Sequence, residues 1–581
     1  MQSDPSSSTG VLLTENPTAA LGRHLRWQVI LTFAGLFVLI TLLGYSTYSV
    51  TTVLVPEHGG IFREGVAGNP QYLNPFFCDS SPVDQDLCAL LYRGLTRIDK
   101  HGRVVADLAD TWTVTDNRIY TFRLKAEQFW HDGQPVTADD VLFTIGILQD
   151  PNALNLLGLT QYWRQVTVEK VDEMTVRFTL TQPKASFLDL TAIGLLPKHL
   201  LQGIPAAELT AKAINRIPVG TGPLLVKEMA ADHILLEPSP FAAGNSPYLS
   251  ALDFRFYPDH PSLLTAFNNG EIDGVSSVLP NDLPAAQQRD DLQMLSTEQS
   301  GYLIVFLNLN NPNDPFFQEK NVRQALYYGL DRQGLADSVL GGQGIVAHSI
   351  LLPESWAYNP NVPHYEYAPA KAKALLDAAG WVDSDNNGIR DKNGKQFEFL
   401  LHTSDNGTNV ALIQRIAADW EKIGVHAVPT PATFVGLVGD LLTPRRFDAA
   451  MVAFATPGDP DPTALWHSSQ SEGGGENYAV WKNLEADDLM QKALATTDEE
   501  ERRKFYWRFQ DLFAEEAPSV LLYYPVYTYG VNKRIHNVQI GSLNQPSERF
   551  ANFADWYLVT RRVPANQVPK SVPPTPPSTA P

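Results

Sequence analysis

Apolar and polar residues alternate with a period of two at several places along this chain. Tyr120, Phe122 and Leu124 form one such run, and Val176, Phe178 and Leu180 form another. A side chain that points inward at every second position is the mark of a half-buried strand. Helical spacing is interleaved with these runs. Thr137-Ala-Asp-Asp140 is a capping-box start ahead of the apolar run from Val141, and Val322, Ala325, Leu326 and Leu330 recur at helical intervals. Pro369 near a first turn and Gly380 beyond a last one bracket a helix with Ala372, Leu375, Leu376 and Ala379 on one face. Strands alternating with helices predict an α/β architecture.

One segment breaks this pattern. From Val29 to Gly44 the chain reads VILTFAGLFVLITLLG without a charge, and lightly polar residues extend the uncharged stretch through Val55. About twenty such residues cross a bilayer as a helix. Arg23, His24 and Arg26 precede it and the next Lys or Arg is Arg63, so the positive-inside bias places residues 1–27 in the cytoplasm, 28–50 in the membrane and the remainder outside. A cleaved signal peptide is the rival reading, with Thr47-Tyr48-Ser49 as a poor small-residue cleavage site. No cysteine follows the run to carry a lipid, so the helix itself is expected to be the tether. At the other end, residues 563–581 are rich in proline and too poor in large apolar groups to pack.

Composition then narrows the function. The 581 residues are 44% hydrophobic, enough for several domains. A formal charge of −20 argues against nucleic acid or an anionic membrane face as partner, because phosphate binding needs clustered Lys and Arg. Cys78 and Cys88 lie close together in the exported part. Oxidising conditions there permit a disulfide that closes a short loop, and two free buried thiols are the alternative.

Motifs for catalysis are missing. The chain has no G-x-S-x-G elbow, no H-E-x-x-H zinc pair, no P-loop and no dinucleotide glycine fingerprint. No catalytic residue and no cofactor is expected. Asp383, Asp385, Asn387 and Asp391 follow part of an EF-hand calcium loop, but position twelve is Gly394 where a bidentate Glu is required. A tight hairpin turn uses the same residues. The segment from Phe447 to Ser469 runs from a buried-strand pattern into a Gly/Pro/Asp loop and then an aromatic, and ligands bind where strands of α/β sheets end. There Asp459 and Asp461 offer acceptors to a cationic ligand and Trp466 offers a stacking face, beside His467. The competing reading is a helix N-cap with a core tryptophan.

Several segments in order resemble the family 5 extracellular solute-binding proteins, the oligopeptide, dipeptide and nickel-binding group that feeds ABC importers. They include GGIFREGVAGNPQYLNPFF from Gly59, YRGLTRIDKHGRVVADLADTW from Tyr92 and YTFRLKAEQFWHDGQPVTADDV from Tyr120. The likeness continues through VGTGPLLV from Val219, AFNNGEIDG from Ala266, VRQALYYGLDR from Val322, YAPAKAKALLDAAGW from Tyr367 and RFDAAMVAFATPGDPDPTALW from Arg446.

The resemblance implies a two-lobed, three-domain fold that closes over its ligand. One domain is assembled from residues 57–98, 216–298 and 521–562, a second is 99–215 and the third is 299–520. It also implies a small-molecule or peptide ligand, ABC permease subunits with their ATPases as partners, a monomer, and no enzymatic activity. The cleft contributors it points to are Tyr72, Asn74, Tyr302 and the loop from Thr456 to Trp466. In peptide-binding members an acidic residue four positions before the loop proline pairs with the ligand's amino terminus. Registering on Pro460 puts Thr456 at that place, and registering on Pro462 puts Gly458 there. A ligand sensor without import and a secreted hydrolase using Asp459, Asp461 or His467 are the rival functions.

Overall fold

Fourteen residues, Ser519–Asn532, form the strand around which the architecture is organised. The computed structural model describes residues 17–78, 81–99, 103–152, 160, 162–184, 186–211, 218–242, 246–456, 458–472, 474–496 and 498–567. The expectations for residues 1–16 and for the tail from 568 onward lie outside the described residues, as do the side chains of Arg23, His24 and Arg26. The chain forms two units, and the smaller one comprises its two ends.

In that smaller unit a helix runs from Pro17 to Thr51. Its Trp27–Tyr48 stretch, 22 residues, is long and apolar enough to cross a membrane, and the side chains there are exposed. Thr32 and Thr41 donate their hydroxyls to the carbonyls of Gln28 and Phe37, both at 2.8 Å. Each of these two hydroxyls is thus satisfied within the helix. Thr52–Glu57 then pairs antiparallel with Val559–Pro564.

The larger unit, His58–Leu558, holds a twelve-stranded mixed sheet. The first half of Ser519–Asn532 pairs with Tyr302–Leu307, and its second half pairs with Leu292–Glu298 and Gly274–Val275. The chain therefore passes from one half of the sheet to the other twice, through residues 299–301 and through residues 524–526. Pro525 stands at the second passage, where a residue without an N–H is tolerated because the ladder changes partner. Gly301 stands at the first with φ 137°, and a Cβ there would lie 2.3 Å from the Phe454 carbonyl oxygen. Only glycine fits that backbone and that approach.

Apolar side chains divide among separate cores on either side of these passages. One gathers residues between 302 and 524. Another gathers residues 62–256 with 527–558, beside a small cluster within 263–294. The remaining core, from residues 76–209, includes the four-stranded antiparallel sheet of Ala109–Thr115, Ile119–Leu124, Thr175–Leu180 and Val166–Asp172. The alternation predicted there is present: Tyr120, Phe122, Leu124, Val176, Phe178 and Leu180 are all buried. Each contributes about 2 kcal/mol by leaving water. The helix Ala138–Gln149 begins where the capping box predicts, and the Asp140 carboxylate accepts the Thr137 N–H at 2.9 Å and the Lys198 N–H at 3.0 Å. Pro369–Ala378 is also helical with Ala372 and Leu376 buried, whereas the helix holding Val322, Ala325 and Leu326 stops at Tyr328, just short of Leu330.

Two covalent or ionic ties hold the early chain in place. Cys78 and Cys88 form a disulfide between the segment after Asn74 and the helix Pro82–Leu91. Arg549, fully buried, donates to both Asp86 oxygens at 2.6 Å and to Glu64 at 2.9 and 3.2 Å. Tyr529 donates its hydroxyl to the other Glu64 oxygen at 2.8 Å. A buried cation is tolerable only when paired and fully bonded, and this one meets two carboxylates.

Candidate solute-binding site

Beside the first passage lies an open cavity. Ser300 at the passage forms one wall, Ser542 and Asn544 continue it, the loop of Leu351, Leu352, Glu354, Ser355 and Trp356 forms another, and Thr456, Gly458 and Pro460 close the third. The walls come from loops far apart in sequence, and hydrogen bonds hold them together. Ser300 donates its N–H to the Leu543 carbonyl at 2.6 Å and its hydroxyl to the Asn544 side chain at 2.9 Å.

The loop that carries Thr456 also bridges two cores. The Asp459 N–H donates to the Asp189 carboxylate at 2.6 Å, from the loop to the helix Phe187–Leu190. The Asp459 carboxylate itself receives Arg502 Nη2 at 2.9 Å on each oxygen, and the same Nη2 reaches the Tyr506 hydroxyl at 2.9 Å. Burial raises the Asp459 pKa, with Arg502 opposing. Burial and then the Asp459 charge push Asp189 up to about 7. Burial also lowers Lys184, although Asp461, Asp459 and Asp189 oppose it.

Of the residues singled out from sequence, Thr456 lines the cavity. Asp459 is occupied by Arg502. Asp461 accepts the Thr463 N–H at 2.9 Å, just before the short helix Thr463–Trp466. Trp466 presents no stacking face: it is 1% exposed and packs edge-on against Phe513 with ring centres 4.6 Å apart. His467 accepts the Ser469 N–H at 3.1 Å and caps the short helix Ser468–Gln470. Here the helix-cap and core-tryptophan reading describes the geometry.

Tyr302 is buried at the start of its strand. Tyr72 packs against Phe77, and its N–H donates to Asp84 at 3.1 Å. Asn74 is fully buried, and its Oδ1 accepts the Phe76 N–H at 3.1 Å while Nδ2 has no partner among the described residues. Sequence reasoning missed Glu354, Trp356, Ser542 and Asn544. They sit in loops without periodicity or motif, and only the folded chain brings them together.

The calcium-like segment takes the turn alternative. Asp383 accepts the N–H groups of Asn387 and Gly388 at 3.1 and 3.0 Å, and Asp391 accepts the Ser384 N–H at 2.9 Å. Asp391–Lys392 and Lys395–Gln396 form a small hairpin around Asn393 and Gly394, both with positive φ. Among the described residues no group of three or more His, Cys, Asp or Glu is placed to hold a metal ion.

Comparison with known proteins now adds to this geometry. The sequence model described as bacterial extracellular solute-binding proteins, family 5 Middle, matches residues 103–476. The oligopeptide-binding protein AppA of Bacillus subtilis is 31% identical over 516 residues, covering 87% of this chain and 92% of AppA. The dipeptide-binding protein of Escherichia coli is 27% identical over 505 residues, covering 82% of this chain and 92% of that protein. Among solved structures, AppA of B. subtilis in complex with a nonapeptide superposes with a TM-score of 0.68 at 29% identity, covering 87% of this chain and all of AppA. NikZ of Campylobacter jejuni in complex with Ni(L-His) superposes with a TM-score of 0.70 at 26% identity, covering 86% of this chain and 99% of NikZ. By the match of that model over residues 103–476 and the 31% identity to AppA, the chain belongs to the family 5 bacterial extracellular solute-binding proteins.

Proposed function

We propose that this chain is a membrane-tethered receptor that captures a small solute, of the peptide class or akin to it, and hands it to an ABC-type permease and its ATPases. The observation that carries the reading is the cavity at the passage of residues 299–301, with walls from both halves of the large sheet. Two short passages between separate cores are what hinge bending requires, and a solute that bridges the walls favours the shut form. The names of the relatives support the solute class. We divide the chain into three domains, with 57–98, 216–298 and 521–562 in one, 99–215 in the second and 299–520 in the third, and the two passages support the boundaries of the third. Thr456 is the cleft residue assigned from sequence that we retain.

The helix through Trp27–Tyr48 acts as the tether, with the large unit outside the cytoplasm, and the receptor works as a monomer without catalysing a reaction.

Native mass spectrometry of the full chain, purified in mild detergent from its host, tests the reading. A copurifying peptide or comparable small solute is the expected result. A chain that copurifies with nothing, and whose melting temperature no peptide library shifts, defeats it. The intact mass tests the tether, since loss of about fifty residues would reveal signal-peptide cleavage instead.

A further inference from the structure

Thr456 and Gly458, the two positions where the family resemblance leads one to expect an acid, carry no charge, yet the cavity is not without negative charge. Glu354 lines it directly on the 351–356 loop. Glu298 stands immediately behind the passage, two residues before the cavity-lining Ser300, at the end of strand Leu292–Glu298. Its Oε2 is buried and has no hydrogen-bond partner among the described residues. Neither carboxylate forms an ion pair among the described residues, whereas the neighbouring Asp459 is fully engaged by Arg502.

Burial, and then the Glu354 charge, hold Glu298 above its usual range. Two carboxylates that repel one another without a cation beside them are unfavourable, and the cost falls when a positive group binds next to them. The surroundings suit an amine or guanidinium on an apolar stem. Leu351 and Leu352 give the same loop a hydrophobic floor, and the opposite wall of Thr456, Gly458 and Pro460 carries no charge. The chain's charge of −20 raises the local concentration of cations further.

We infer that Glu354, backed by Glu298, is the receptor for a cationic group of the bound solute, an ammonium or guanidinium, in a cavity where neither Thr456 nor Gly458 offers an acid. This assignment rests on the solute-receptor reading above and specifies which solutes that receptor selects.

The test is calorimetric titration of the full chain in mild detergent with matched probes. Free Ala-Ala-Ala is compared with its N-acetylated form, Ala-Lys-Ala is compared with Ala-norleucine-Ala, and spermidine serves as a cation that is not a peptide. The first pair reports the ligand's terminal amine, and the second reports a basic side chain. At least one cationic member should bind about tenfold or more tightly than its neutral match, and Glu354→Gln should erase that preference without altering the melting temperature. Glu298→Gln should weaken it less.

If peptides bind with no preference for the cation, or if Glu354→Gln leaves the preference intact, the inference is overturned while the peptide reading stands. If spermidine alone binds and Glu354→Gln weakens it, the inference holds and the peptide reading falls. If nothing binds, or neutral probes alone bind with no effect of Glu354→Gln, the inference is overturned.

Discussion

Asp189 and Asp459 meet through a single hydrogen bond, the Asp459 N–H to the Asp189 carboxylate at 2.6 Å, and that bond joins the core of residues 76–209 to the cleft loop. Asp189 is also an acid whose pKa is pushed up to about 7, by burial first and by the Asp459 charge second. An acid raised in the joined state binds its proton more tightly there than in an open or unfolded chain, where it titrates near 3.9. The joined state is therefore fully favoured at pH below about 4 and loses that advantage as pH climbs to about 7, by up to about 4 kcal/mol. Asp189→Asn carries no charge to bury. Its melting temperature should exceed that of the unaltered chain at pH 8 and converge with it at pH 4.5. Parallel melting curves across that range would remove Asp189 from the account.

Arg549 makes a second, sharper case. It joins Glu64 on one strand to Asp86 on the helix Pro82–Leu91, all three side chains almost without solvent contact. Glu64 is raised to about 7 by burial even though Arg549 opposes the shift. Arg549→Met leaves two buried carboxylates facing each other, and removal of one partner from such a group costs about 3–5 kcal/mol. Protonation relieves the penalty, so the loss measured by denaturant unfolding should be larger at pH 8 than at pH 5. An equal loss at both pH values would mean that lost packing, rather than charge, sets the cost.

Sequence patterning anticipates regular elements well and the site poorly, and the contrast is physical. Tyr120, Phe122 and Leu124 are legible because a half-buried strand imposes its period on neighbouring residues, and Pro369 with Gly380 is legible because helix ends need particular backbones. The segment around Asp459 to His467 was legible as a loop after a strand, yet its polar groups turn inward to accept the Thr463 N–H and to meet Arg502, some forty residues later in the chain. Nothing local to Asp459 encodes that partner. Glu354 and Ser542 are nearly two hundred residues apart and share one cavity only because the strand Ser519–Asn532 returns the chain to the passage. Local patterns record what local geometry demands, whereas a cleft records long-range topology.

The disulfide offers a third prediction. Cys78 and Cys88 are ten residues apart, and the bond ties the segment after Asn74 to the helix that carries Asp86. Closing so short a loop stabilises by about 2–3 kcal/mol on the chain-entropy view. Cys78→Ser with Cys88→Ser should lower the unfolding free energy by that amount. A reductant should lower the unaltered chain to the same level and leave the double variant unmoved. A reductant effect of equal size on both proteins would show that the bond is not its target.

Gly301 tests whether the passage itself tolerates change. Two separate objections face a side chain there: the backbone stands at φ 137°, and a Cβ would sit 2.3 Å from the Phe454 carbonyl oxygen. Gly270 faces only the first, with φ 73° and open space around its missing Cβ. Gly270→Ala should therefore cost about 1 kcal/mol, the strain of a left-handed backbone alone. Gly301→Ala must also move a strand, since Phe454 pairs directly with Tyr302. Its cost should be at least about 2 kcal/mol greater, in the range of an unrelieved steric clash. Because Ser300 is a wall of the cavity, the same shift should weaken solute binding, which Gly270→Ala should leave intact. Unfolding by denaturant and titration with the solute that copurifies measure the two effects independently. Equal destabilisation by the two substitutions would show that the strand beside Gly301 yields without cost, and that the passage is more compliant than its packing indicates.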